Sequence, residues 1–264
     1  MCSLLNVARS AVYKKKKDKR YDRKIDNAVI KIFNESRRNY GTRKIKVELG
    51  RRGIGVSRRM IGRIMGRHGL VSKYTLRNRP KHGKDKTNRD KVENLVSRDF
   101  SGRTALEVVV SDLTYVRVGA KWHYICLLLD IGCRKIIGHA VGCSKDAGLV
   151  SKTFYSSDAD LSEIQIFHTD RGSEFKNKII DDIIVAFDIK RSLSAPGAPL
   201  DNAVAEAMYK VLKTEFVFGE TFDSLDDLEL KLFDYVHWYN NVRIHGSLDY
   251  LTPNQAMSSL SFRS

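Results

Sequence analysis

Three acidic residues stand at positions where a carboxylate could take part in chemistry. Asp112 lies in the middle of an otherwise apolar run, EVVVSDLTYVRV (107–118), and Asp170 follows another apolar run in the stretch FHTDRGSEF. Glu206 lies within DNAVAEAMYKVLKTE (201–215). A carboxylate beside apolar residues is costly to desolvate unless a cation or a hydrogen-bond donor meets it. The partner of these acids is therefore the first question that the sequence raises.

The segment 201–215 has the periodicity of a helix that buries one face and leaves the other free. Glu206, Lys210 and Lys213 share the free face, because residues i, i+4 and i+7 align. Clustered hard oxygen ligands can hold two divalent ions that activate a water or hydroxyl at a phosphodiester and stabilise the leaving oxygen. The two lysines would hold the phosphate backbone. Taken one at a time, the acids also allow a non-catalytic interpretation. Each Asp would then be a hydrogen-bonded residue of a strand, and Glu206 a solvated residue of a helix.

The elements that must position these acids form an α/β pattern from residue 107 onward. Period-two alternation predicts strands, and the first three follow one another through short turns, as in an antiparallel meander. The predicted strands are 107–118, 121–133, 135–141, 163–169 and 189–194, and the predicted helices are 146–156, 175–187, 201–215 and a long helix from Leu225. This order predicts a mixed sheet flanked by helices. Apolar positions in the long helix predict packing on the core, namely Leu230, Leu232, Phe233, Val236 and Trp238.

Charge divides the chain into two parts of different character. The whole chain carries a formal net charge of +16, and residues 1–100 hold 30 Lys and Arg against 9 Asp and Glu. The remainder carries a net negative charge. Two modules follow from this asymmetry, and the basic one predicts a polyanionic partner, of which nucleic acid is the commonest. A basic surface that merely aids solubility is the alternative.

Within the basic part, residues 40–70 have the pattern of two short helices around a glycine turn. A helix over 42–51 is followed by Gly53-Ile54-Gly55, by Ser57 as an N-cap and by a second helix that Gly69 ends. This is the helix-turn-helix pattern, whose second helix can enter a major groove. The arginines on its exposed face would contact phosphates, namely Arg58, Arg59, Arg63 and Arg67. A further helix is predicted over 26–38, after a basic run at 13–24 that we expect to be exposed.

Other features exclude some classes of protein. No apolar run approaches the roughly 20 residues of a membrane span, and the N-terminus does not read as a signal peptide, because its charge follows its short apolar stretch. The four cysteines show no metal-ligand spacing and read as free thiols of a reducing cytosol. We expect a cytoplasmic protein, and the family resemblance given below implies a bacterial, nucleoid-associated one.

Several motifs together resemble the OrfB-type, two-reading-frame class of insertion-sequence transposases, whose catalytic core is similar to retroviral integrases. VVVSDLTYV, FHTDRGSEF and APLDNAVAEAMYKVLKTE look like the Asp-Asp-Glu motif, and 35 residues separate Asp170 from Glu206, a gap typical of the family. WYNNVRIHGSLDYLTPNQAM resembles its C-terminal signature, and YGTRKIKVEL and IGRIMGRHGL its N-terminal helix-turn-helix. The resemblance covers roughly residues 8 to 258.

The resemblance implies an α/β fold of the ribonuclease-H-like type, a mixed five-stranded sheet flanked by helices, behind a small all-α helix-turn-helix module. The domains would be a DNA-binding module at 1–80, a linker at 81–103 and an integrase catalytic core at 104–264. Asp112, Asp170 and Glu206 would be the catalytic residues and the ligands of two Mg²⁺ ions, with Mn²⁺ as a substitute.

The same resemblance implies how the protein handles DNA. Water would cut the phosphodiester at an element end, and the freed 3′-hydroxyl would attack target DNA. Lys210 and Lys213 would contact element-end DNA, and Asn202 would support the metal site or touch DNA. The family also implies a homo-multimer on paired ends and an upstream-frame protein as a fusion partner.

Two residues near Asp170 have open roles. Glu174 stands where the family frequently has glutamine, and we interpret it as a surface residue in preference to a spare metal ligand. His168 is interpreted as a structural neighbour of the site in preference to a ligand or proton shuttle. Val109 replaces the usual aromatic three residues before the first Asp, which affects packing more than chemistry.

Two rival functions stay open at this stage. A non-catalytic DNA-binding protein would use the basic module alone, and a nuclease of the same fold would cut DNA without joining it. The intact acidic triad favours strand transfer over the non-catalytic alternative.

Overall fold

The computed structural model describes residues 23–75, 93–96, 102–195 and 202–261. The chain divides into two compact units, one formed by three helices near the N-terminus and one that contains a sheet and its helices. No helix within these described ranges is long and apolar enough to cross a membrane.

The helical unit consists of α1 (Arg23–Glu35), α2 (Thr42–Arg51) and α3 (Arg58–Arg67). The prediction for α2 is confirmed, whereas α1 ends earlier than predicted, because Arg37 and Arg38 adopt positive φ angles of 53° and 64°. The Ser57 hydroxyl caps α3 by accepting a hydrogen bond from the Met60 amide at 3.2 Å. Apolar side chains from all three helices are fully buried, namely Val29, Phe33, Ile45, Leu49, Ile61 and Ile64. Most of the basic run 13–24 lies outside the described residues.

The second unit is built on a mixed five-stranded sheet with the strand order β3-β2-β1-β4-β5, which confirms the predicted fold class. The three N-terminal strands pair antiparallel, and β4 and β5 run parallel to β1. The strands are β1 (Val108–Val118), β2 (Lys121–Asp130), β3 (Ile136–Gly142), β4 (Ile166–Thr169) and β5 (Lys190–Leu193). The helices are α4 (Ala147–Tyr155), α5 (Lys178–Ala186), α6 (Ala203–Leu212), α7 (Leu225–Asn241) and α8 (Pro253–Ser261), and a π-helical turn, Lys213–Val217, extends α6.

Each face of the sheet is covered by its own pair of helices. Residues of α6 and α7 form one core with the β1 side chains of Val108, Val110 and Val116. Residues of α4 and α5 form the other core with Val109. Alternate β1 residues therefore feed opposite cores, as a strand of period two requires.

Helix α7 buries three of the five side chains that were predicted to pack on the core, namely Leu232, Val236 and Trp238. Leu230 and Phe233 are 69% and 61% exposed, so the prediction that they pack on the core is wrong. Leu228 and Tyr235, which were not predicted, are fully buried as well. A helical period of 3.6 residues places Leu230 on the side opposite Leu228.

The predicted domain boundaries remain a prediction. The linker predicted at 81–103 lies mostly outside the described residues, as does residue 80. The helical unit itself ends at Leu70.

Candidate functional site

The two aspartates singled out in the sequence meet where β1 and β4 part. The strands are in parallel register at Val108–Ile166 and Val110–His168, and the same register continued by two residues places Asp112 opposite Asp170. The pairing stops before that point, so both carboxylates stand at the splayed end of the sheet. The Asp170 Oδ1 atom accepts a hydrogen bond from the Gly172 amide at 2.9 Å, which turns the chain away from the strand.

The electrostatics of Asp112 reflect this meeting. Burial of the carboxyl raises the pKa of Asp112 to about 7, and the charge of Asp170 adds to the rise. The Leu113 amide, which donates to Asp112 Oδ1 at 2.7 Å, and the charge of Lys145 act in the opposite direction. Two carboxylates in such an arrangement repel each other unless a cation neutralises them.

Glu174 belongs to the same cluster, and its interpretation as a surface residue is wrong. Its side chain is 3% exposed, and its Oε1 atom lies 2.9 Å from the Lys145 ammonium. A Cβ atom at Gly172 would fall 2.4–2.7 Å from the Glu174 carboxyl group, so glycine leaves the room that this side chain fills. Lys145 therefore places a positive charge beside Glu174 and near Asp112. The sequence offered a weak signal for Lys145, its place just before Asp146, the N-cap of α4.

Glu206 does not join this cluster in the structure. It lies exposed on the first turn of α6. Within the ranges that the structure describes, no group of three or more His, Cys, Asp or Glu side chains is close enough to hold a metal ion. The structure thus places Asp170 and Glu174 near enough to Asp112 for their charges to act on it, whereas Glu206 lies exposed on α6.

Helix α6 is nevertheless tied to strand β1 through one hydroxyl group. Tyr209 is buried, and its hydroxyl donates to the Asp112 carbonyl and accepts from the Leu127 amide at 2.9 Å. Asp112 and Leu127 are opposed residues of β1 and β2, so this hydroxyl bridges the two strands beside the candidate carboxylate. Our interpretation of the sequence missed Tyr209, although its position one residue after the buried Met208 places it on the inner face of α6.

We expect Tyr209→Phe to destabilise the second unit by about 1–3 kcal/mol, because the amide of Leu127 and the carbonyl of Asp112 would each lose a buried partner. Urea unfolding monitored by circular dichroism measures the difference. The matched control is Tyr155→Phe, at a tyrosine that is 79% exposed. Equal stability of the two variants would show that the bridge contributes nothing.

The two predicted lysines differ in their surroundings. Lys210 is exposed on α6. Lys213 is half-buried at the start of the π-helical turn, with its ammonium 4.6 Å from the centroid of the Tyr115 ring. Burial lowers the pKa of Lys213, and the nearby charge of Asp112 opposes that shift. Asn202, the N-cap residue of α6, is buried and does not present its side chain at the surface.

His168 has the structural environment that we interpreted for it. The ring is fully buried, with Nδ1 at 2.9 Å from the Ser192 hydroxyl and Nε2 at 3.2 Å from the Ser194 hydroxyl. Both ring nitrogens are therefore engaged with β5 and its continuation.

The helical unit presents its four arginines to solvent, namely Arg58, Arg59, Arg63 and Arg67. Arg67 differs from the others, because its guanidinium lies 3.1 Å from the buried carboxylate of Asp26, which also contacts His68 at 2.7 Å. We therefore expect Arg67 to serve the packing of α3 against α1 as well as any contact with phosphate.

The Asp112–Asp170 pair fits a divalent metal ion in its chemistry. Both side chains are hard oxygen donors. Burial and, after it, the charge of Asp170 raise the pKa of Asp112, and a cation bound between the two carboxylates would act against both. Glu206 offers the same donor type but stands apart from the pair, so the fit rests on two of the three predicted ligands.

Comparison with known protein families matches three stretches of the chain. An integrase core domain matches residues 103–199, a second integrase core domain model matches residues 206–258, and an HTH-like domain matches residues 20–79. Asp112 and Asp170 fall within the first stretch, and Glu206 opens the second.

Relatives and a solved structure agree with these models. The chain is 28% identical to the transposase for insertion sequence element IS904 of Lactococcus lactis, over 88% of this chain and 93% of that protein. It is 26% identical to transposase InsF for insertion sequence IS3A of Escherichia coli K12, over 97% and 92%. The fold is similar to a chain of the simian T-cell lymphotropic virus intasome, with a TM-score of 0.50, 13% identity, and coverage of 87% of this chain and 73% of that one. The chain therefore carries an HTH-like domain followed by an integrase core domain, and these relatives of 26–28% identity are insertion-sequence transposases.

Proposed function

We propose that this protein cuts and joins DNA during transposition, with Asp112 and Asp170 at the centre of its catalytic site and Glu206 as the third acid. The observation that carries the proposal is the meeting of Asp112 and Asp170 at the splayed ends of β1 and β4. Burial of the Asp112 carboxyl, together with the charge of Asp170, raises the pKa of Asp112, and bound cations would offset both effects.

The integrase fold generally uses divalent metal ions, and we propose Mg²⁺ for this chain, with Mn²⁺ as a substitute. Bound to Asp112, Asp170 and Glu206, two ions would activate the attacking water or 3′-hydroxyl and stabilise the oxygen that leaves. Both reactions can use one site, because only the nucleophile changes between them.

The residues around the acids have distinct proposed tasks. Lys145 holds the Glu174 carboxylate and offsets part of the negative charge near Asp112. Tyr209 fixes the backbone of Asp112 relative to α6. Lys213, and Lys210 one turn before it, would attract the DNA phosphates toward the acids. Asn202 would support the metal site from its buried position.

DNA is the partner that the HTH-like and integrase core domains support. We propose that Arg58, Arg59 and Arg63 contact phosphates of the element ends, with Arg67 in a mixed role. The domain division at residues 80 and 104, the cytoplasmic and nucleoid location, the homo-multimer on paired ends and the association with an upstream-frame protein are likewise proposals, supported by the resemblance described above.

The experiment that tests this function follows a labelled element end through cleavage and joining. The purified protein is incubated with Mg²⁺ or Mn²⁺ and either intact end DNA or DNA whose 3′-hydroxyl is already exposed. We expect joined products, and we expect Asp170→Asn to lose them while retaining its affinity for DNA. Joining by the Asp170→Asn variant at the wild-type rate would refute the assignment of Asp170.

A matched control and two rival outcomes complete the design. Asp188→Asn changes an exposed aspartate that precedes β5, at the end of the parallel strands opposite to Asp170, and should join DNA normally. Nicked products without joining would support the nuclease alternative, and binding without either product would support the non-catalytic one.

A further inference from the structure

Two large aromatic side chains lie exposed side by side on the hairpin of β1 and β2. Tyr115 is 55% and Trp122 is 52% exposed, with ring centroids 5.2 Å apart and ring planes perpendicular. Single exposed aromatic residues are ordinary, but adjacent exposed rings mark a surface that binds something. We call Tyr115 and Trp122 the aromatic pair.

A cationic side chain lies over each ring of the aromatic pair. The Arg117 guanidinium lies 5.6 Å from the centroid of the Trp122 ring, and the Lys213 ammonium lies 4.6 Å from that of Tyr115. Arg117 is exposed and Lys213 is half-buried. A surface with aromatic faces between two positive charges is complementary to a nucleotide, whose base stacks and whose phosphate is anionic.

The aromatic pair is linked to the candidate catalytic site through Lys213. Tyr115 follows Asp112 by three residues on β1, so the two side chains leave opposite faces of the strand. Lys213 connects them, because its ammonium lies over the Tyr115 ring and the charge of Asp112 acts on its pKa. In the described part of the chain, β4 pairs with β1 only at Val108–Val110, so the outer half of β1 has no strand on that edge. A nucleotide on the aromatic pair would therefore lie at the same unpaired edge of β1 past which DNA would reach the acids.

We propose that the aromatic pair, flanked by Arg117 and Lys213, binds an unpaired nucleotide of the DNA beside the bond that is cut or joined. An unpaired base is required because the faces of a base within a duplex are already covered by its neighbours in the stack. The proposal rests on the proposed function, since it assumes that DNA reaches Asp112. It adds to that function a preference for ends with single-stranded or frayed nucleotides.

Trp122 allows this proposal to be tested without catalysis. The chain contains two tryptophans, and Trp238 is buried, so Trp238→Phe leaves Trp122 as the reporter. If that variant does not fold, the difference between wild type and Trp122→Phe gives the same signal. We expect Trp122 fluorescence to be quenched by end DNA with a three-nucleotide overhang, and to change little with a blunt duplex of the same length.

Affinity measurements then separate stacking from general attraction to DNA. We expect Tyr115→Ala and Trp122→Ala to weaken binding of the overhang substrate about five- to a hundredfold, the range of one base stacked on an aromatic ring. Their affinity for the blunt duplex should stay within about twofold. Tyr155→Ala, which removes another exposed ring, should leave both affinities unchanged.

Three outcomes would overturn the proposal. The first is equal loss for overhang and blunt DNA, and the second is an unchanged Trp122 signal on binding of the overhang substrate. The third is a Trp122 signal that depends on protein concentration alone, which would assign the pair to contact between copies of the chain. Binding is measured in the Asp170→Asn background, so that cleavage and joining do not interfere. An overhang preference in that background, together with no joining by the wild-type protein, would uphold the stacking site and refute the proposed function.

Discussion

Asp112→Asn is expected to abolish the joining of DNA ends and, at the same time, to make the metal-free protein more stable above pH 7. The loss of joining should be at least about a thousandfold, because bound metal contributes several kcal/mol to such reactions. The gain in stability arises because the folded protein holds the carboxylate of Asp112 partly buried and beside Asp170, which raises its pKa from 3.8 to about 7.

The sign of the pH dependence follows from that shift. Below about pH 4 the Asp112 carboxyl is protonated in the folded and the unfolded chain, so it does not lower stability. As the pH rises toward 7, the unfolded chain releases the proton more readily, and wild-type stability falls until it levels off above pH 7. We expect Asp112→Asn to gain nothing near pH 4 and roughly 1–3 kcal/mol at pH 8, after allowance for partial exposure.

Urea unfolding in the presence of a chelator, at pH 4 and at pH 8, measures this difference. Asp188→Asn is the matched control and should show the same small effect at both pH values. Addition of Mg²⁺ at pH 8 should stabilise wild type more than Asp112→Asn, because the ion compensates the charge that the substitution removes. A variant that is less stable than wild type at pH 8 would contradict the account of Asp112.

Glu215→Ala is expected to unfold or severely destabilise the sheet-containing unit, by about 3–5 kcal/mol. Glu215 is completely buried at its side chain, and Arg243 grips both of its oxygens, with Nε at 2.8 Å from Oε2 and Nη2 at 2.8 Å from Oε1. The hydroxyls of Tyr74 and Tyr235 also donate to it. Removal of the carboxylate would leave the Arg243 guanidinium charged and buried without its counter-ion.

Arg243 stays charged in this setting. Burial acts to lower the pKa of Arg243, but the charge of Glu215 and its hydrogen bonds outweigh burial and raise that pKa further. The Glu215→Leu/Arg243→Leu double variant removes both charges and should recover much of the lost stability, since two apolar side chains can replace a buried ion pair.

Thermal and urea unfolding of the single and double variants test this reasoning. Glu163→Ala, at an exposed glutamate, is the control and should change stability by less than about 0.5 kcal/mol. If Glu215→Ala were as stable as that control, the ion pair would have no structural role and the C-terminal signature would need another explanation.

Two residues of the C-terminal signature, which the sequence marked only as a resemblance, have structural roles in the folded chain. Arg243 and the fully paired Asn240 belong to WYNNVRIHGSL, and the Asn240 amide accepts from and donates to the backbone of Ile136 at 3.0 and 2.8 Å. Asn240 thus provides hydrogen-bond partners for the backbone N–H and carbonyl of Ile136, at the start of the edge strand β3. These contacts join residues about a hundred positions apart in the chain, which no local pattern can reveal.

Local sequence patterns predicted the type and the bounds of helices and strands correctly where periodicity and capping residues determine them. The bounds of α2 and the Ser57 cap of α3 were predicted correctly, and β1 begins within one residue of its predicted start, because period and capping depend on neighbouring residues only. They failed for Leu230 and Phe233, where apolar type alone was read as burial. Tyr209 was overlooked because its structural role is a pair of hydrogen bonds from its hydroxyl to backbone groups that are distant in the sequence.

What the sequence by itself determined is the set of elements and the order of the acids along them, since alternation, helical period and caps are short-range properties. Only the tertiary structure decided which acids meet. Parallel pairing of β1 with β4 brings Asp170 to Asp112, the Gly172 turn seats Glu174 against Lys145, and Glu206 is left exposed on α6. Such placement depends on long-range packing of strands and helices, whose energy is shared among residues far apart in the chain.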